Sequence, residues 1–258
     1  MLTKPKVKPE RVLPTLEQLA ELLGIVIAIV VKIFKQMNRP QVQYWIGHER
    51  ELASALKTAL GRGSKAIDPQ LTDWLQFYRE VFNLELDPTD IKLPAERFGF
   101  GWLVVVAKGL TRNAVFDRCC QRFGGKAWRY YKNLDEAVTH NDREPIETYV
   151  IRVRDSVEAD ECHQNKSAND VIKAGIKGIT TLEQMLLELW YHWKTNNHLG
   201  QKSLTIHSGS RSADGSVPNA RWGDGRFRVG NVVPGDAFDH WRVREVVSLP
   251  VEALAETG

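Results

Sequence analysis

The stretch VPNARWGDGRFRVGNVV, residues 217–233, reads as two strands around a turn. Val217–Trp222 and Arg226–Val232 are runs of strand formers. Gly223-Asp224-Gly225 between them is a turn signal, so the pair predicts a β-hairpin. Ser203–His207 upstream and Val243–Leu249 downstream read as further strands, so the end of the chain predicts an antiparallel sheet. Thr148–Arg154 alternates, with Tyr149, Ile151 and Val153 on one face and Arg152 and Arg154 on the other, the period-two pattern of a strand. Gly101–Ala107 and Lys126–Tyr131 read as short strands. Helices separate them. One runs from a Thr111 cap to about residue 122 before Gly124-Gly125, and a short one spans 167–174 behind Ser167. A strong one starts at Thr180 or Thr181 and runs through Leu182, Met185, Leu186, Leu189, Trp190 and Trp193 towards Gly200.

Further upstream the pattern is helical. In residues 15–36, Thr15 and Gln18 have capping-box spacing after Pro14. Glu17, Glu21, Gly24, Ala28, Lys32 and Lys35 form one narrow polar-or-small stripe, and nearly everything else is apolar. The β-branched run Ile25–Val31 also suits a buried strand, but the stripe persists for about twenty residues, which favours helix. Such a helix is expected to be buried nearly all round, either inside the chain or against a second chain. A second helix is expected at about 39–60, capped by Asn38 and Gln41, with a core face of Val42, Trp45, Leu52, Leu56 and Leu60 and a stop at Gly61. A third is expected at 69–83, with Asp68 as cap, Pro69 in the first turn, and Leu71, Trp74, Leu75, Tyr78, Val81 and Phe82 on one face.

The resulting fold class is α+β: an N-terminal helical bundle followed by a mixed part with an antiparallel sheet. The expected organisation is a flexible basic tail at 1–14, the bundle at 15–87, an α+β domain at 95–250 after a linker marked by Pro88 and Pro94, and a tail at 251–258.

The chain has 258 residues, 26% charged and 43% hydrophobic, which excludes wholesale disorder, a collagen-like repeat and a multi-span membrane protein. A chain of this length needs no disulfide or metal to stay folded. The net charge is +3, and acidic and basic residues are spread evenly apart from Lys4, Lys6, Lys8 and Arg11, so no global basic field exists. Three cysteines without a C-x-x-C pair disfavour a zinc ribbon or a dithiol redox site and fit a reducing, cytoplasmic compartment. The apolar run Leu22–Val31 stops at Lys32, well short of the roughly 20 residues a spanning helix needs, so no membrane span is expected. Glu10, Glu17 and Glu21, with no small-x-small site behind the run, argue against a signal peptide.

Several stretches carry a resemblance: FYREVFNLELD (77–87), NDREP (141–145), VRDSVEADE (153–161), KGITTLEQMLLEL (177–189), SGSRSADGSVP (208–218) and RVREVVS (242–248). Over about residues 40–250 the chain resembles a family of uncharacterised proteins from bacterial candidate-phyla genomes. The resemblance implies no activity, cofactor or site residue.

Three groups of residues bear on function. Arg211, Arg221, Arg226, Arg228, Arg242 and Arg244 are interleaved with Trp222, Phe227 and Trp241. Alternation places Arg226 with Arg228, and Arg242 with Arg244, on shared strand faces. An arginine-and-aromatic sheet face can stack bases and hold phosphates, whereas Asp214, Asp224, Asp236, Asp239 and Glu245 can turn the same face into salt bridges. Glu158, Asp160, Glu161, Cys162 and His163, with Asp142 and Asp155, form an acidic cluster. Consecutive side chains diverge, so at most two or three of them can share a site, and the run reads as a solvated loop. Ser208-Gly209-Ser210-Arg211 lacks both P-loop and nucleophile-elbow spacing and reads as a loop, with an anion nest as the alternative. His192 and His198 are six apart and not on one helical face. No catalytic residue, cofactor or metal is assigned. The expected function is a non-enzymatic binding or interaction module, with helix 15–36 as a contact for a protein partner or for self-association. The alternative is nucleic-acid binding through the arginine-rich sheet, and the third reading is a small hydrolase using the acidic cluster.

Overall fold

The computed structural model describes residues 15–53, 56 and 68–249. The two expected tails and the end of the second helix at Leu60 and Gly61 lie outside these residues. The chain divides into two compact units, Met1–Ala66 and Ile67–Gly258.

In the first unit, α1 spans Leu16–Gln36 behind the expected Thr15/Gln18 capping box, and α2 spans Arg39–Gly47 behind a capping box of Asn38 and Gln41. The second helix does not run unbroken to 60. Its ladder breaks at His48, whose Nδ1 lies 2.7 Å from the Tyr44 carbonyl and whose ring stacks on Tyr44. The imidazole takes the acceptor that the next backbone amide needs, and helical residues resume at 49–53. None of α1 is buried within the single chain, contrary to the first of the two expectations, burial inside the chain, and Leu16, Leu23, Ile25, Ile27 and Ile29 are all more than half exposed.

In the second unit, α3 (Pro69–Phe77) continues through a π-helical turn at Tyr78–Phe82 and stops at Asn83, which has a left-handed backbone. Its partner is strand β1 (Trp102–Val106), the edge of a sheet ordered β1-β4-β10 with β4 at Tyr149–Val153 and β10 at Val247–Ser248. Gln70, Trp74 and Tyr78 are spaced i, i+4 and i+8 on one helical face. Gln70 Oε1 accepts from Leu103 N, Trp74 Nε1 donates to Leu103 O, and Tyr78 OH donates to Val105 O and accepts from Ala107 N. The helix thus supplies the hydrogen bonds a missing neighbour strand would make, which closes an otherwise exposed edge. The expected three-helix bundle is corrected accordingly: the third helix is committed to the sheet.

β4 is the middle strand, paired on both edges, and all five of its residues are buried; Arg152 is among them, with Nε donating to Pro94 O rather than facing water. The second sheet has the order β2-β8-β7-β5-β9, from β2 (Ala127–Arg129), β5 (Leu204–Ile206), β7 (Val217–Gly223), β8 (Arg226–Val232) and β9 (Trp241–Val243). The β7–β8 hairpin turns at Asp224 and Gly225, both with positive φ, the conformation that a tight two-residue hairpin demands. The single strand expected at 243–249 is split into β9 and β10. β3 (Val138–Asn141) and β6 (Ser210–Ser212) form a separate ribbon.

Helix α4 (Arg112–Arg122) is followed by a short turn, α5 (Leu134–Ala137), and by α6 (Ala168–Lys173) and α7 (Thr181–Thr195). α7 is the axis of the core: every residue from Thr181 to Trp190 is buried, and the helix packs on α3, α4, β1 and β7. Trp190 stacks on Trp74 with ring centres 5.1 Å apart. α7 ends at Asn196, left-handed, rather than at Gly200.

Candidate binding face

The five-stranded sheet turns Phe227, Val229 and Ala220 inward to the main core. The residues that alternate with them form the opposite face. Trp128 is registered against Arg228, and Arg228 against Arg221. Thr205 pairs with Ala220 and Leu204 with Trp241, so one row crosses the whole sheet: Trp128, Arg228, Arg221, Leu204, Trp241. At about 4.8 Å per strand the row is about 19 Å long.

One end of this face is covered. α6 lays Ala168 and Val171 on Ile206, Val217 and Val243 to make a small second core. Six residues of helix cannot reach further, and the rest of the face is a shallow cavity of about 400 Å³. Trp128 and Tyr130 form one wall, His240 and Trp241 the other, and Asn219, Arg221 and Arg228 supply its polar side chains. Gly230 opposes Asn219 across the hairpin, where a Cβ would sit 3.4 Å from the Asn219 amide; its missing side chain keeps the floor low. Trp128 is 42% and Tyr130 63% exposed. Arg228 Nε and Asn231 Nδ2 are buried without a hydrogen-bond partner. A buried unpaired donor costs about 1–3 kcal/mol, and of these two only Arg228 stands on the cavity face, since Asn231 alternates with Val229 onto the core side.

The six arginines divide evenly. Arg221 and Arg228 line the cavity, and Arg226 is exposed at the hairpin end of the same face, opposite Gly223. Arg228 also meets Asp224 at 2.8 Å, an exposed pair of small energetic weight. The other three are engaged with main-chain oxygens. Arg211 donates to Ser208 O and Ser210 O, and Arg242 to Ala159 O and the Gln164 side chain. Arg244 is wholly buried and donates to Arg154 O, Ser156 O and Val157 O; burial pushes its pKa down to about 10. Arg242 and Arg244 share no binding face, because the strand breaks after Val243.

In the Ser208–Arg211 loop the amides beside the glycine are already spent within the protein. Gly209 N donates to Ile179 O and Ser210 N to His207 O, while Ser210 Oγ links Thr181 N to Asn141. Beside it lies a buried ionic network that the sequence reading missed. Arg143 donates to both oxygens of Glu183 and to Gly178 O, and Tyr149 OH donates to Glu183 as well. Its signal was a glutamate on the otherwise buried flank of α7. The network ties the N-terminus of α7 to the segment that follows the ribbon strand β3.

The acidic residues are mostly structural. Glu158 accepts from Gln201 N, Lys202 N, Ser203 N and Ser203 Oγ, which occupies both its oxygens. Asp142 is exposed at its surface but lies beside Arg143 and Glu183, and partial desolvation raises its pKa. Asp160, Cys162 and His163 do converge: a short helical turn at Glu161–His163 brings one donor atom of each within 4.8 Å of the others. His192 and His198 also meet, with ring centres 4.7 Å apart, because the chain reverses at Asn196 rather than continuing the helix. His198 Nδ1 pairs with the buried Glu188 at 2.6 Å and its ring stacks on Trp222. Burial lowers the His192 pKa to about 4. No family model, curated protein or solved structure matches the chain.

Proposed function

We propose that the chain is a non-enzymatic binding module whose site is the open face of the five-stranded sheet, and that its ligand is single-stranded nucleic acid. The observation that carries this is the row of Arg221 and Arg228 on a cavity floor walled by Trp128 and Tyr130 on one side and by His240 and Trp241 on the other. Every cationic group there is a donor and nothing on the floor is an acid. Flat aromatic walls accept any base, and the arginines accept the backbone that joins the bases. A solvated salt-bridge face, the competing reading, accounts for Asp224 and Arg228 but not for the aromatic walls.

The helix Leu16–Gln36 supports a second contact, with a protein partner or another copy of the chain. Its apolar surface is exposed, and among the described residues no helix is long and apolar enough to cross a membrane. The free thiols of Cys119, Cys120 and Cys162 fit a reducing, cytoplasmic setting.

The test is fluorescence anisotropy with a labelled single-stranded oligonucleotide at low salt. Trp128→Ala is expected to weaken binding by about 1–3 kcal/mol, the range for loss of one base-stacking platform, with the melting temperature little changed because the ring is 42% exposed. An affinity untouched by Trp128→Ala removes the nucleic-acid reading.

A further inference from the structure

We propose that Asp160, Cys162 and His163 form a zinc-binding site, separate from the sheet face and independent of what that face binds. One donor atom from each residue already lies within 4.8 Å of the other two, so a shift of about 1 Å brings all three onto one small ion. Carboxylate, thiolate and imidazole together suit zinc better than calcium or magnesium, which prefer oxygen alone.

Two further observations carry the site beyond proximity. The first is Asp160, whose side chain is completely buried. Its Oδ2 is occupied by Arg154 and by the Glu245 amide, but Oδ1 has no hydrogen-bond partner. A carboxylate oxygen removed from water with nothing to accept is a costly arrangement unless something fills the position. The second is His163, nearly buried, whose Nε2 lies 3.2 Å from Glu245 Oε2. A carboxylate on one ring nitrogen holds the proton there and leaves the lone pair on the other, as in the outer shell of histidine–zinc sites. Nδ1 is thereby the free donor. Its neighbour is Lys166 Nζ at 3.5 Å, an ammonium on a flexible stem that can leave when an ion arrives. Cys162 is exposed and unpaired, so the third ligand is accessible.

Charge sets the proton balance. Arg97 and Arg154 both reach Glu245, and Arg154 also reaches Asp160, so the two carboxylates are already matched by two guanidinium groups. Zinc uptake then requires the Cys162 thiol to ionise: the S–H bond breaks, the proton passes to solvent, and the sulfur lone pair forms the Zn–S bond.

Titration of the untagged full-length protein with cobalt(II), as a spectroscopic stand-in for zinc, tests the site. The expected result is one equivalent bound with a near-ultraviolet thiolate-to-cobalt band, displaced by zinc. Cys162→Ser, a change at an exposed position that leaves the fold intact, should abolish the band and weaken zinc at least tenfold, measured against a chromophoric chelator. Lys166→Ala should tighten zinc, because the cation nearest the free nitrogen is gone; a merely structural role for the cluster predicts no such gain. The proposal is overturned if no thiolate band forms, if Cys162→Ser binds as tightly as the parent protein, or if Lys166→Ala weakens binding.

Discussion

Removing Arg221 and Arg228 together separates a phosphate-binding face from a decorative one. The fold should tolerate the double change Arg221→Ala, Arg228→Ala. Arg228 makes one ion pair, with a partner that is 66% exposed, and such a pair is worth about 0–1 kcal/mol. Arg221 lies over Gly223 at the end of the hairpin, where its loss opens no core cavity. Binding should change in a particular way. Each cation that neutralises a phosphate of a single strand contributes about −0.7 to the slope of log K against log salt. Loss of two should make the slope shallower by about 1.4. Between about 50 and 200 mM salt the parent protein should then lose about sevenfold more affinity than the variant. Anisotropy titrations at four salt concentrations measure this directly. Arg242→Ala is the matched control, because its guanidinium is engaged with Ala159 O and Gln164 and should leave the slope alone. An unchanged slope in the double variant, or an equal fall in the Arg242 control, refutes the reasoning.

Three other perturbations test the rest of the structure. Gly209→Ala places a Cβ 2.6 Å from Gly178 O and 3.2 Å from Ile179 O, both main-chain atoms, so it should cost about 1–3 kcal/mol in urea unfolding; Gly178→Ala meets the unpartnered Ser208 Oγ at 1.7 Å and Ser208 Cβ at 3.0 Å, so adding Ser208→Ala removes the first contact and should rescue only part of the loss. Burial pushes the His207 pKa down to about 3, so its folded form excludes a proton that the unfolded chain takes up below about pH 6.5. Its stabilisation is complete above that pH and is lost as pH falls towards 3, at about 1.4 kcal/mol per pH unit, and His207→Gln should flatten the profile by that one proton. Gly24→Leu on α1 meets nothing of its own chain within 4 Å, so helix content should hold while light scattering shows a fall in mass if a second copy packs there; an unchanged mass removes the self-association reading.

The hairpin at 217–233 was legible because everything that makes it is local: two runs of strand formers and an Asp-Gly turn with the positive φ values it needs. The caps of α1, α2, α6 and α7 were legible for the same reason. What failed was non-local. Trp74 and Tyr78 read as part of the apolar face of a bundle helix, and only the presence of an unpaired strand edge at 103–107 turns them, with Gln70, into an edge cover. His192 and His198 seemed apart because helical spacing was extended past the residue that ends the helix. Asp160, Cys162 and His163 seemed to diverge because a strand or loop was assumed where the chain makes a tight helical turn.

The arginines make the same point about function. All six looked equivalent in the sequence, yet only those on the regular hairpin are available. In a paired β-ladder the main-chain oxygens are already taken by neighbouring amides, so a guanidinium above it finds few acceptors and stays free for a ligand. Arg221, Arg226 and Arg228 stand on such strands. Arg211, Arg242 and Arg244 stand where pairing ends or changes partner, next to carbonyls at 208, 210, 154, 156, 157 and 159 that have room for a donor. Those carbonyls claim the guanidinium groups and convert cations that could have met phosphate into struts. Binding capacity on this face is therefore set less by the number of arginines than by how completely the backbone beneath each one is already hydrogen-bonded.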